Sequence, residues 1–442
     1  MKHTFTNYIL AAIVAIAVLF VFSCGNNNDD AGDTGSGGDT AENQADNNGS
    51  TGDGQAAGGG DEAEAAPEAD AAGDDDFAGW DIPFLNAVTG PIAGIADYLQ
   101  WGAERAAEEI NEAGGIAGRP VRVRAVDTGV DPEKGAVEMA ALADESLVVL
   151  GPVPEPVILA AMPIAVEQEM PAFTASTGYE YAVRFFPWSI SWFPPTSTLS
   201  PIVSEWVNQA GGMYSVVQFV ENFGPWPDMA TAHTRGAEAA GSELVLRVEV
   251  PSDAVTLDSV VVRGLSFEPD GIIISTAPER AGKIVAELME RGWSDPNKIL
   301  IFSSADDAPL YTTAGDALNG TMIYNYINPN VDEPRWNAFR EAFKEEYDGL
   351  EPFSLSANYY DAVYMIKESI EATGITGNPE MLDEEREMLM EYARNIDDFD
   401  GILYNWSMVD GVPADRPVYL FELQDGSKNL VAETVARYEP GE

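Results

Sequence analysis

The 442-residue chain has one cysteine and two histidines, and only 23 Lys and Arg against 74 Asp and Glu. A single cysteine excludes an intramolecular disulfide framework and every multi-cysteine metal cluster. His3 lies at the extreme N-terminus, so a Ser-His-Asp or Cys-His catalyst would have to use His233. That residue falls in a helical stretch, 229–240, where a solvated position is the plain reading. The formal charge of −51 sets the chain against nucleic acid and anionic lipid, both of which would repel it. No G-x-S-x-G or H-E-x-x-H occurs in the folded part, and Gly282-Lys283 is followed by Ile284, which breaks a phosphate loop. Gly114-Gly115-Ile116-Ala117-Gly118 lacks dinucleotide spacing and follows a helix, so it reads as a turn. Nothing here marks an enzyme, and no cofactor or metal set is implied.

Residues 1–24 read as an export signal. Lys2 gives the positive start, and the apolar run 9–22 is shorter than the ~20 residues of a membrane span. Val21-Phe22-Ser23-Cys24 resembles a bacterial lipobox, which makes Cys24 the lipidation site and the anchor to the membrane. Residues 25–79 carry 15 acids and no Lys or Arg, with almost no large apolar side chain, so a disordered acidic tether is expected. From residue 80 onward 59 acids still face 22 bases, a net of −37. The tether therefore does not explain the charge. Six of those bases are Lys and 16 are Arg, and such an acid-rich, Lys-poor surface suits a saline habitat in which repulsion is screened.

The rest of the chain alternates. Apolar stretches at 82–87, 121–127 and 146–150 read as strands, with helices between them at 99–110 and 132–143. After residue 200 the pattern resumes. Strands are expected at 215–220, 244–250, 271–274 and 299–303, and helices at 229–240, 257–266 and 280–291. Alternation of this kind gives open parallel sheets covered by helices, and two such runs give two lobes.

Several segments together resemble the type I solute-binding proteins of ABC importers, in the branched-chain amino-acid and amide branch. They are Thr89-Gly90-Pro91, the run from Gly102-Ala103-Glu104 to Gly118-Arg119, Asp127 with Asp131-Pro132, and Leu150-Gly151-Pro152-Val153. Pro269-Asp270-Gly271-Ile272, Ala314-Gly315-Asp316 and Tyr360-Asp361-Ala362 continue the series in the family's order. The resemblance implies two Rossmann-like lobes with parallel sheets, joined by three hinge crossovers. On that reading residues 80–198 form the first part of the N-terminal lobe and 199–326 the C-terminal lobe. Residues 327–442 then complete the first lobe and cross back to the second. The implied function is capture of a small polar solute, an amino acid, amide or related compound, in the interlobe cleft. An ABC permease and ATPase would be the partners, and the protein a lipid-anchored monomer outside the cytoplasm. A ligand-sensing receptor of the same fold without transport is the alternative.

The resemblance also implies site residues. Where the family usually has a Ser-Ser or Ser-Gly pair for the ligand's α-carboxylate, this chain has Pro154-Glu155-Pro156. Glu155 either accepts a bond from a cationic or amide ligand or points at solvent; the departure argues against a plain branched-chain amino acid. Ser176 and Thr177 match the loop that grips the ligand's polar end, and Tyr179 and Trp192 are expected to line the cleft. Phe223 matches an aromatic that caps the ligand. Asp306 is the candidate for the ammonium-binding acid, and an acid there is equally read as a helix N-cap.

Overall fold

The computed structural model describes residues 77–90, 92–174, 184–193, 196–222 and 226–438, all within the unit Gly73–Glu442. The signal segment with Cys24, the tether as far as residue 76, and the loop positions Ser176, Thr177, Tyr179 and Phe223 lie outside the described residues.

The first lobe begins with β1 (Trp80–Asn86), α1 (Ala93–Glu112), β2 (Val121–Asp127) and α2 (Pro132–Ala143). It continues with β3 (Val149–Leu150), α3 (Glu155–Glu167), β4 (Ala172–Thr174) and β5 (Ser189–Ser191). These strands form one parallel sheet in the order β2-β1-β3-β4-β5. Local chemistry sets the ends of these elements. Asp131 caps α2 by accepting from the amides of Glu133 and Lys134 at 2.8 and 3.2 Å, with Pro132 in the first turn. Leu99, Ala103, Ala106, Ala107 and Ile110 form the buried stripe of α1.

The second lobe runs α4 (Ser200–Gln209), β6 (Ser215–Glu221), α5 (Trp226–Ala239), β7 (Glu243–Val250) and α6 (Asp258–Leu265). It goes on through β8 (Gly271–Ser275), α7 (Pro278–Glu290), β9 (Ile299–Ile301), α8 (Ala308–Ala314) and β10 (Met322–Asn325). The chain then returns to the first lobe with α9 (Pro334–Glu346), α10 (Ser354–Thr373) and α11 (Leu382–Ala393). Helix α10 lies so close to α1 that a Cβ on Gly102 would sit 2.1 Å from the Ser356 carbonyl oxygen. Only glycine fits there.

Two short ladders follow, β11 (Phe399–Asp400) with β12 (Asn405–Trp406) and β13 (Met408–Val409) with β14 (Val412–Pro413). The long hairpin β15 (Asp415–Gln424) and β16 (Ser427–Arg437) then joins the second sheet antiparallel, in the order β16-β15-β10-β9-β8-β6-β7. The chain thus crosses between lobes three times: after β5, after β10 and before β15. Among the described residues no helix is long and apolar enough to cross a membrane.

The strand expected at 146–150 shrinks to Val149–Leu150, because pairing with β4 begins only at Val149. Helix α3 was not legible: Pro154, Pro156 and Pro163 punctuate an apolar run that reads as a loop. His233 is on a helix as expected, but it is buried rather than solvated. Its Nδ1 lies 3.2 Å from Ser275 Oγ and its Nε2 2.7 Å from Tyr324 Oη. Burial, with Arg247 nearby, lowers its pKa to about 3, so the ring is neutral.

Candidate functional site

A cleft of about 580 Å³ opens at the carboxyl ends of the parallel strands of both sheets. This is where open α/β sheets present loops and helix N-termini to a ligand. From the first lobe it takes Ile95, Tyr98 and Leu99 of α1, and Val153, Pro154, Glu155 and Ile158 at the start of α3. The second lobe contributes Trp226, the stretch 277–280, Phe302 to Ser304, and 307–309. Phe193 and Tyr326, from the first and second crossings, form part of its floor.

The loop after β3 is fixed by glycine. Gly151 has φ +83°, and a Cβ on it would meet the Leu85 carbonyl oxygen at 2.5 Å. Val153 N donates to the same oxygen at 3.1 Å, which sets the chain up for α3. Glu155 is the first residue of that helix, only 8% exposed, and borders the cleft. The acid therefore does not point into bulk solvent. A carboxylate in the first turn is also favoured by the helix dipole.

The loop after β9 separates its two acids. Asp306 turns away from the cleft into a neighbouring hollow. There Lys428 Nζ, at 2.6 Å, Tyr311 Oη, at 2.6 Å, and Asn325 Nδ2 all meet its carboxylate. Asp307 borders both that hollow and the cleft and caps α8, accepting from Ala308 N at 2.7 Å. Burial raises the Asp307 pKa, with Asp306 adding to the effect and the capping amide opposing it. At the cleft edge where Asp306 was expected the structure has Asp307, which is also a helix cap.

Trp192 does not line the cleft. It is fully buried, with its ring beside those of Phe173 and Trp406, and its carbonyl accepts from Arg416 Nη1 at 3.0 Å. Phe193, the next residue, takes the cleft position. Two charged groups of the second lobe are already engaged. Arg280 Nη1 lies 3.3 Å from Glu221, whose other oxygen accepts from Ala277 N, and Glu279 pairs with Lys283 at 2.6 Å. Trp226 Nε1 donates to Ser304 Oγ at 2.9 Å and so fixes one aromatic wall.

The family described as "Periplasmic binding protein" matches residues 79–428. The chain belongs to the periplasmic binding protein family. The leucine-binding protein LivK of Thermotoga maritima is 22% identical, with a TM-score of 0.69 over 80% of this chain and 98% of that one. LivJ of Streptococcus pneumoniae, solved with isoleucine, is 20% identical, with a TM-score of 0.68 over 81% and 100%. A solute-binding protein of R. palustris in complex with benzoate is 18% identical, with a TM-score of 0.70 over 82% and 98%. A search of curated proteins finds no match.

As in a type I periplasmic binding protein, two lobes of mixed α/β structure face each other across the crossings. The site of this periplasmic binding protein draws on residues that sequence reasoning missed. Tyr98, Trp226, Phe302 and residues 353–355 at the start of α10 are scattered over 258 positions of chain (98 to 355) and carry no shared motif. Of the expected site residues, Glu155 borders the cleft, while Trp192 and Asp306 face elsewhere.

Proposed function

We propose that this protein is the solute-binding subunit of an ABC importer, held outside the cytoplasm by a lipid on Cys24, and working as a monomer. Its solute is small, with an amine or amide end and an apolar or aromatic body. The observation that carries this reading is the cleft wall. Three acids, Glu155, Asp307 and the Lys283-paired Glu279, border a space otherwise lined largely by apolar side chains, the aromatic Tyr98, Trp226, Phe193, Phe302 and Tyr326 among them, and Arg280 beside it is engaged by Glu221. Carboxylates recognise N–H donors, and aromatic faces attract both apolar surface and cations. Ser176, Thr177, Tyr179 and Phe223 complete the polar grip and the cap in this proposal.

Binding couples to motion because a solute that touches both walls favours the closed arrangement, with the crossings absorbing the rotation. A thermal-shift screen across amines, amides, amino acids, polyamines and aromatic acids tests the reading. At least one amine- or amide-bearing solute should raise Tm, and a screen in which no such solute does so ends it. Fractionation tests the anchor: Cys24→Ser should move the protein from the membrane to the soluble fraction.

A further inference from the structure

Beneath the cleft floor, at the start of β15, Arg416 is fully buried. Its guanidinium carbon lies 4.4 Å from the Trp406 ring centroid, 5.2 Å from that of Tyr326, 5.3 Å from that of Tyr404 and 5.9 Å from that of Phe193. Nη1 donates to the Trp192 carbonyl and Nη2 reaches Asn358 Oδ1 at 3.4 Å. One side chain thus touches the first crossing through Trp192 and Phe193, the second through Tyr326, and itself sits at the end of the third.

The cage is incomplete. Among the described residues, five buried polar atoms around this cation have no hydrogen-bond partner: Trp192 Nε1, Tyr326 Oη, Asn358 Nδ2, Tyr404 Oη and Arg416 Nε. Three of them, the indole, the amide nitrogen and the guanidinium nitrogen, can only donate. Buried polar groups are almost always paired, because leaving one unmade costs its full desolvation. Nor is the charge neutralised by contact: among the described residues Arg416 forms no ion pair. The nearby acid, Asp361, spends its oxygens on Trp406 Nε1 and Ile402 N, both at 2.9 Å. A buried cation ringed by surplus donors lacks an acceptor of negative charge.

We propose that the Arg416 cage at the junction of the three crossings is a binding site for a small monovalent anion, of chloride or carboxylate type. A single such ion accepts from several donors at once and neutralises the guanidinium, whereas a water accepts at two lone pairs and carries no charge to do so. The source is either a free ion or the carboxylate end of a cleft solute, since Tyr326 and Phe193 belong to both cage and cleft floor.

The test is thermal unfolding of the full-length protein in sodium chloride or sodium formate against sodium gluconate, at fixed ionic strength and without solute. Gluconate, a much larger anion, serves as the reference, and fixed ionic strength removes screening as a cause. A free-ion site predicts that Tm climbs by about 2 °C for each tenfold rise in chloride or formate once the site fills. Tyr404→Phe, which removes one orphan donor and keeps the ring, should shrink that rise; Arg416→Met should abolish it if the variant folds. If the ion is instead a solute's carboxylate, chloride has no effect alone. Carboxylic acids then bind more weakly in Tyr404→Phe, while their amides are unaffected. Equal curves in chloride, formate and gluconate, together with no carboxylate preference, overturn the proposal. The free-ion arm needs no cleft solute, so its failure is distinct from failure of the transport reading.

Discussion

The cleft and the hinge beside it share the rings of Phe193 and Tyr326, yet they handle charge in opposite ways. In the cleft the acids lie at helix N-termini and the arginine is neutralised by Glu221, so polar groups are held by backbone amides and ion pairs. In the hinge a lone guanidinium is enclosed by aromatic faces and surplus donors. The cleft sets acids at helix N-termini beside an apolar space, and the hinge concentrates positive charge where three chain crossings meet. In so acidic a protein, what distinguishes an acid is its position relative to the carboxyl ends of the strands. The rare buried cation carries the stronger structural signal.

The largest effect expected from breaking this contrast is in the hinge. Arg416→Ala removes a fully buried side chain that contacts all three crossings, and should cost about 3–5 kcal/mol of stability, read from the denaturant midpoint. On the cleft side Asp307 separates two roles. Asp307→Ala should lose about 1 kcal/mol of stability through the missing cap, whereas Asp307→Asn keeps the cap and weakens solute binding alone.

A further difference lies in the response to pH. Burial raises the Asp361 pKa from 3.8 to about 7, against the opposing bonds from Trp406 and Ile402. Between those values the native state holds more protons than the unfolded one, so this group makes stability fall as pH rises, and the loss is complete above about 7. His233, lowered from 6.5 to about 3, works the other way: it adds stability near neutrality that is lost as pH falls across that window. Urea midpoints from acid to neutral pH should lose the first slope in Asp361→Asn and the second in His233→Gln. The smallest effect belongs to the surface. Arg335 pairs with Asp400 at 2.8 Å, but the aspartate side chain is 81% exposed, so Arg335→Gln should change stability by no more than about 0.5 kcal/mol.

Much of the fold was legible because its signals are local. Asp131-Pro132 announces α2 in the sequence, and the alternation of Val121, Val123 and Ala125 with arginines announces β2. The site was less so, because the decisive partners are distant. Asp306 and Asp307 look alike in the chain; Lys428, 122 positions after Asp306, holds the first and leaves the second at the cleft. Helix periodicity places His233 on α5 but does not reveal that Ser275 and Tyr324 receive its ring. Trp192 and Phe193 are neighbours of the same type, and only the crossing geometry sends one to the core and the other to the cleft. Arg416 has no motif at all, since its role exists only where three crossings converge.

The central claim is that the cleft binds a solute through an N–H-bearing end, and Glu155 is the residue that tests it. The direct measurement is isothermal titration of the full-length protein and of Glu155→Gln with the solute that gives the largest thermal shift. The account predicts one site per chain and at least tenfold weaker binding in the variant, about 1.4 kcal/mol, with Tm unchanged in the absence of solute. Equal affinity in the two proteins, or saturation only by solutes without an amine or amide, would contradict it.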